Sequence, residues 1–148
     1  MTARSVRGQR LIRAEDYFKG IMTTELADDE LITEVEIPLL PAGTHTGFAE
    51  FSIRAGDFAI AMVFVAYSIR DQRVSDSRIC VGGAESFPRR INDAEIALTG
   101  KPASVSSFEE AALAAAAAID PLEDLNTTAE YRRALVKTLV GRALAEAA

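Results

Sequence analysis

The segment from Phe58 to Ile69, FAIAMVFVAYSI, carries no charge and is apolar on both of its alternating faces. A half-buried strand shows apolar and polar residues in strict alternation, whereas a run like this one belongs to a strand covered on both sides. It is far shorter than the ~20 residues of a membrane helix. A chain that contains it must therefore build a sheet and cover both faces. If its own helices cover one face, the other requires another domain, another subunit or a second copy, because large bare apolar patches are unusual on monomers.

The chain is long enough for a real core, with 148 residues of which 49% are hydrophobic. A formal charge of -6 and a pI near 4.8 argue against nucleic-acid binding, which needs a clustered excess of Lys and Arg. One cysteine, Cys80, excludes an internal disulfide, and one histidine, His45, leaves no Cys/His set for zinc or an iron–sulfur cluster. The basic N-terminal stretch MTARSVRGQRLIRAEDYF never reaches the apolar core of a signal peptide, and no run is long enough for a membrane span. The cytoplasm is the expected compartment.

Strands come first and helices last. LITEVEI, residues 31–37, alternates like a half-buried strand and is ended by Pro38 and Pro41; a second strand covers Gly47 to Ile53. DQRVSDS reads as a hairpin connection, with Val74 already in the strand that returns to ICVGG. In NDAEIALTGK, residues 92–101, Asn92 is the expected N-cap, Glu95 completes a capping box and Gly100 stops a short helix. SSFEEAALAAAAAID begins with cap-capable serines and continues in alanines of high helix propensity. From Thr127 or Thr128, TAEYRRALVKTLVGRALAEA places Tyr131, Leu135, Leu139 and Leu144 on one face with basic residues between them. The expected fold class is α+β: an antiparallel sheet of three or four strands packed on about three C-terminal helices.

No catalytic constellation emerges. ICVGGAESFPRR, residues 79–90, has neither the lysine of a Walker loop nor the G-x-G-x-x-G of a dinucleotide loop. Gly82 and Gly83 read as a tight strand exit, and Arg89 and Arg90 as solvated or paired residues, with an anion or partner contact as the sharper alternative. His45 reads as a loop histidine without a nucleophile or second ligand nearby, and Cys80 as a small buried hydrophobe. Asp28, Asp29 and Glu30 read as solvated turn residues, with cation recruitment as the alternative, and among Glu50, Arg54 and Asp57 a structural Arg–carboxylate pair is expected.

Four segments, FKGIMTTELADDELITEVEIP, FAEFSIRAGDFAIAMV, ICVGGAESFPRRINDAEIALTGK and AEYRRALVKTLVGRAL, resemble in that order the C-terminal region of the FAD-binding medium subunit of molybdenum hydroxylases, the carbon monoxide dehydrogenase and xanthine dehydrogenase group. The resemblance covers nearly the whole chain. It implies an α+β sandwich over residues 23–148 that packs beside an FAD-binding domain, with residues 1–22 as the tail of that domain. It also implies a place in an electron-transfer complex in which a molybdenum-pterin subunit oxidises the substrate and an iron–sulfur subunit passes electrons to the flavin.

By position, the backbone around Ile32 and the region of Glu50 match the places where the family approaches FAD. Some relatives carry lysine at the second place; Glu50 removes that cationic contact. The glycine-rich loops that hold the FAD pyrophosphate are missing, so the chain alone is expected to bind FAD weakly or not at all and not to be catalytic. Two readings follow: a domain that helps to wall the flavin site and assemble the complex, or a stand-alone interaction module that has lost flavin chemistry. Alone, the chain is expected to self-associate.

Overall fold

Residues 1–125 and 127–148 are described by the structure, a computed structural model, and they form two compact units, Met1–Pro41 and Ala42–Ala148. In the first, strands β1 (Thr2–Ser5) and β2 (Gly8–Leu11) form a hairpin, followed by the single-turn helix α1 (Ala14–Tyr17) and a small ribbon of β3 (Phe18–Gly20) with β4 (Thr23–Thr24). Strand β5 (Leu31–Glu34) pairs with the free side of β1, giving the antiparallel order β2-β1-β5. The expected boundary at residue 22 falls between β3 and β4, inside this unit.

The expected half-buried strand over 31–37 forms only over Leu31–Glu34, and Leu31, Val35 and Ile37 face water. The reason is architectural. Among the described residues no helix layer covers this small sheet within its own unit, and a three-stranded sheet without a second layer buries little. Among the described residues of the unit, the buried apolar side chains are Ala3 and Ile12.

The second unit is a meander of β6 (His45–Phe51), β7 (Ala61–Arg70), β8 (Arg73–Gly82) and the two-residue β9 (Arg89–Arg90), antiparallel throughout. Helices α2 (Asn92–Leu98), α3 (Val105–Ala118) and α4 (Ala129–Ala147) follow and cover one face. The core lies between sheet and helices, where Val63, Val65, Ile79 and Val81 meet Leu98, Phe108, Val136, Val140 and Leu144. Each such side chain, fully buried, stabilises the unit by about 1.5–3 kcal/mol.

The β7–β8 hairpin closes at Asp71 and Gln72, whose φ angles of 50° and 61° place both central residues in the left-handed region demanded by a two-residue type I′ turn. The register then shifts: Ala66 faces Arg78 but Ser68 faces Ser75, so β8 carries an extra residue there, next to Asp76 at φ 51°. This bulge reverses the alternation of β8, which lets Val74 on one side of it and Ile79 and Val81 on the other all reach the core.

Three helix details differ from the sequence reading. The N-cap of α2 is Ile91 rather than Asn92, and Glu95 does not reach back to the cap because Arg90 and the Ile79 amide hold its carboxylate. Helix α3 is capped by Ser104, whose hydroxyl accepts from the Ser107 amide. Helix α4 starts as expected, with the Thr128 hydroxyl accepting from the Tyr131 amide, but its buried stripe is Arg132, Val136, Leu139, Val140, Ala143 and Leu144, leaving Tyr131 exposed.

Helix α4 crosses β6 so closely that a Cβ on Gly47 would sit 2.9 Å from the Ala143 carbonyl carbon and inside the envelope of its oxygen. Only glycine permits this approach.

Candidate functional site

Among the described residues, the outer face of the sheet carries no helix of its own unit. Cross-strand pairing lines up Phe48, Phe64, Cys80 and Arg90 in one row, and Glu50, Met62 and Gly82 in the next. Phe48, Phe64 and Met62 are 52%, 46% and 38% exposed. This corrects the expectation that neither face of the Phe58–Ile69 strand meets water: the inner face is dry, with Val63 and Val65 fully buried, and the outer face is an open apolar platform. Glu50 stands at its edge on β6. Ile32 lies in the other unit, on β5, opposite Ala3.

The turn that leads into β5 is tightly held. Both Glu30 carboxylate oxygens accept from Arg10 at 2.8 Å, Oε2 also accepts from the Ala27 amide at 2.9 Å, and Arg7 donates to Asp29 at 2.8 Å. Asp29 and Glu30 are therefore paired rather than free to recruit a cation. The Arg10 guanidinium, then the Ala27 amide, holds the Glu30 carboxyl at about 2, below its ordinary 4.5. Because the folded value is the lower one, this pairing stabilises the first unit fully above pH 4.5 and is lost as the pH falls from there towards 2. Proteolysis of the Ala27–Glu30 turn should accelerate over that window, and Glu30→Gln should abolish the pH dependence.

The stretch from Ile79 to Arg90 is architecture. Gly83 sits at φ 77°, and a Cβ there would lie 2.6 Å from the Ala59 carbonyl oxygen, so the strand exit needs glycine. Arg89 grips Glu85 through two hydrogen bonds of 2.8 and 3.1 Å and donates to the Ala118 carbonyl. Arg90 donates to both oxygens of Glu95, at 2.8 and 2.5 Å. An anion-binding role for these arginines would have to break both pairs.

A residue the sequence reading passed over is a buried, multiply bonded arginine of α4. Arg132, 6% exposed, donates to the Ile60 and Gly83 carbonyls at 2.9 and 2.8 Å and to Asp124 at 2.6 Å. It ties the entry of β7, the exit of β8 and the connection before α4. Nothing in a basic residue among helical positions signals this.

The remaining candidates are structural. His45 opens β6 instead of lying in a loop, with Nδ1 2.7 Å from the Ala147 carbonyl oxygen and its ring stacked on Tyr67 at 5.1 Å. Burial pushes the Cys80 thiol up, which makes it a poor nucleophile. Arg54 forms no ion pair with Glu50 or Asp57 among the described residues; that turn is closed by the Asp57 amide donating to the Arg54 carbonyl at 3.1 Å. Among the described residues no three His, Cys, Asp or Glu side chains gather to hold a metal, and no helix is long and apolar enough to cross a membrane.

Residues 46–147 match the model of the CO dehydrogenase flavoprotein C-terminal domain. The chain belongs to this family.

It is 45% identical over 97% of its length to the nicotine 6-hydroxylase medium subunit of Paenarthrobacter nicotinovorans, covering 50% of that protein. It is 33% identical over 97% of its length to the glyceraldehyde dehydrogenase medium chain of Sulfolobus acidocaldarius, covering 51% of it. Among solved structures, a chain of carbon monoxide dehydrogenase from Hydrogenophaga pseudoflava superposes with a TM-score of 0.93 at 32% identity, over 99% of this chain and 51% of that one. The chain thus spans about half the length of the relatives it matches. Its second unit is the C-terminal domain of a medium subunit in the molybdenum hydroxylase family.

That family uses FAD. The residues present do not fit the dinucleotide end of FAD, since the one Gly-Gly turn followed by arginines is closed by Glu85 and Glu95 and by the crowding at Gly83. Among the described residues the chain holds no cradle for those phosphates.

Proposed function

We propose that this chain forms one wall of the flavin site of an FAD-containing oxidoreductase subunit and helps to assemble that subunit with an FAD-binding domain and with iron–sulfur and molybdenum-pterin subunits in the cytoplasm. The observation that carries this reading is the open sheet face: Phe48, Met62 and Phe64 form an apolar platform that a lone domain would not leave bare, in a chain that spans half of its relatives. Exposed Leu11, Leu31 and Ile37 on the first unit support the same reading, with Met1–Met22 as the last part of an FAD-binding domain.

Within this reading, the Ile32 backbone and the Glu50 side chain are the flavin-proximal groups. Glu50 brings a negative charge where a lysine would bring a positive one, so it does not neutralise an anionic flavin. Released from its partners, the chain self-associates through the platform.

The test is a flavin titration followed by visible absorbance and melting temperature, with the chain alone and with a separately produced FAD-binding domain added. Flavin should bind only in the second arm, and Phe64→Asp should weaken it there. If neither arm binds flavin, the wall has no site to complete and the reading fails.

A further inference from the structure

We propose that the seam between α3 and α4 is a second docking surface, which receives an acidic, apolar-faced segment of another subunit of the assembled oxidoreductase. This rests on the reading above, in that the chain works inside a complex. Val105, Phe108 and Ala112 of α3 face Gly141 and Ala145 of α4 across a groove of about 270 Å³ with a predominantly apolar lining. Small residues at Ala112, Gly141 and Ala145 leave the groove deep, and Val105 beside it is 72% exposed. It lies on the helical layer, whose other side packs on the inner face of the sheet, so an occupant of the outer sheet platform does not fill it.

Charge identifies the occupant. Lys137 and Arg142 stand on the α4 rim, and neither has an ion pair or hydrogen-bond partner among the described residues. Elsewhere the arginines at 7, 10, 13, 70, 89, 90 and 132 are paired with carboxylates and Arg73 and Arg133 donate to backbone carbonyls, while Arg4, Arg54 and Arg78, which have no ion pair among the described residues, do not line this groove. Two unpaired cations over an apolar groove therefore favour a segment that inserts large apolar side chains and places Asp or Glu towards α4. Glu109, on the α3 rim, fixes the direction by repelling a carboxylate on its own side.

The experiment measures binding of the chain to the co-expressed FAD-binding domain, iron–sulfur subunit and molybdenum-pterin subunit of its complex, at low and high salt, with a carbodiimide to couple Lys137 to any adjacent carboxylate. Lys137→Glu/Arg142→Glu should weaken binding about tenfold and flatten its salt dependence, as loss of rim charges does. Glu109→Lys should tighten binding about threefold, an effect that damage to the fold would not produce. Thr138→Trp, which blocks the groove from an exposed position, should weaken binding with an unchanged melting temperature. Lys137 should cross-link to an Asp or Glu of a partner subunit. A complex that forms with unchanged affinity in these variants and without that cross-link overturns the groove proposal alone. If the wild-type chain joins no complex, the proposal and the reading beneath it fall together.

Discussion

Gly47→Ala should cost the second unit at least about 3 kcal/mol and lower its denaturation midpoint accordingly. The added methyl would collide with the backbone carbonyl of Ala143, not with the end of a flexible side chain, so α4 must move as a body or β6 must yield. Gly141→Ala is the control. A Cβ at Gly141 meets nothing closer than the Ala112 Cβ at 3.9 Å, and alanine in a helix interior is favoured over glycine by about 1 kcal/mol. The same chemical change should thus destabilise at one position and leave unchanged or stabilise at the other, as read by urea unfolding. Equal midpoints for Gly47→Ala and the wild type would refute the close crossing of α4 over β6.

A comparable split is expected one strand away. Val65 is fully buried against the helices while its neighbour Phe64 is 46% exposed on the outer face. Val65→Asp forfeits the burial of valine and places a carboxylate in an apolar core, a loss of about 5 kcal/mol, comparable to the whole stability of many domains. That variant should not fold. Phe64→Asp should keep the circular dichroism of the native chain and shift its melting free energy by no more than about 1 kcal/mol. Its effect should appear in sedimentation, as loss of self-association, and in the absence of docking to the FAD-binding domain. Unfolding by both substitutions would show that the outer face belongs to the core.

The fold class was legible because the largest signals are local. The apolar run of β7, the turn residues after Arg70 and the capping threonine of α4 each report their own neighbourhood. What escaped was set by distant contacts. The bulge beside Asp76 reverses the alternation of β8, so a period-2 reading cannot assign both Val74 and Ile79 to the core. Arg132 has an ordinary helical setting in sequence, and only folding brings the Ile60 and Gly83 carbonyls within its reach. Glu95 has the spacing of a capping box but finds Arg90 first. The proposal of Ile32 and Glu50 as flavin-proximal rests on resemblance alone, since neither carries a motif of its own, while the apolar outer face of the sheet followed from β7 alone.

The crossing of α4 over β6 also sets an order of events. Gly47 meets Ala143 and His45 meets Ala147, so the core is closed by segments about a hundred positions apart, whereas β7 and β8 meet across a two-residue turn. Loop-closure entropy favours the hairpin first and delays the long-range clasp. Until α4 arrives, Val63 and Val65 have no cover on the inner face, and the outer face stays bare besides. A nascent chain of this kind would pass through a stage with both sides of its sheet exposed to other chains, and would depend on the prompt arrival of its last helix to escape aggregation.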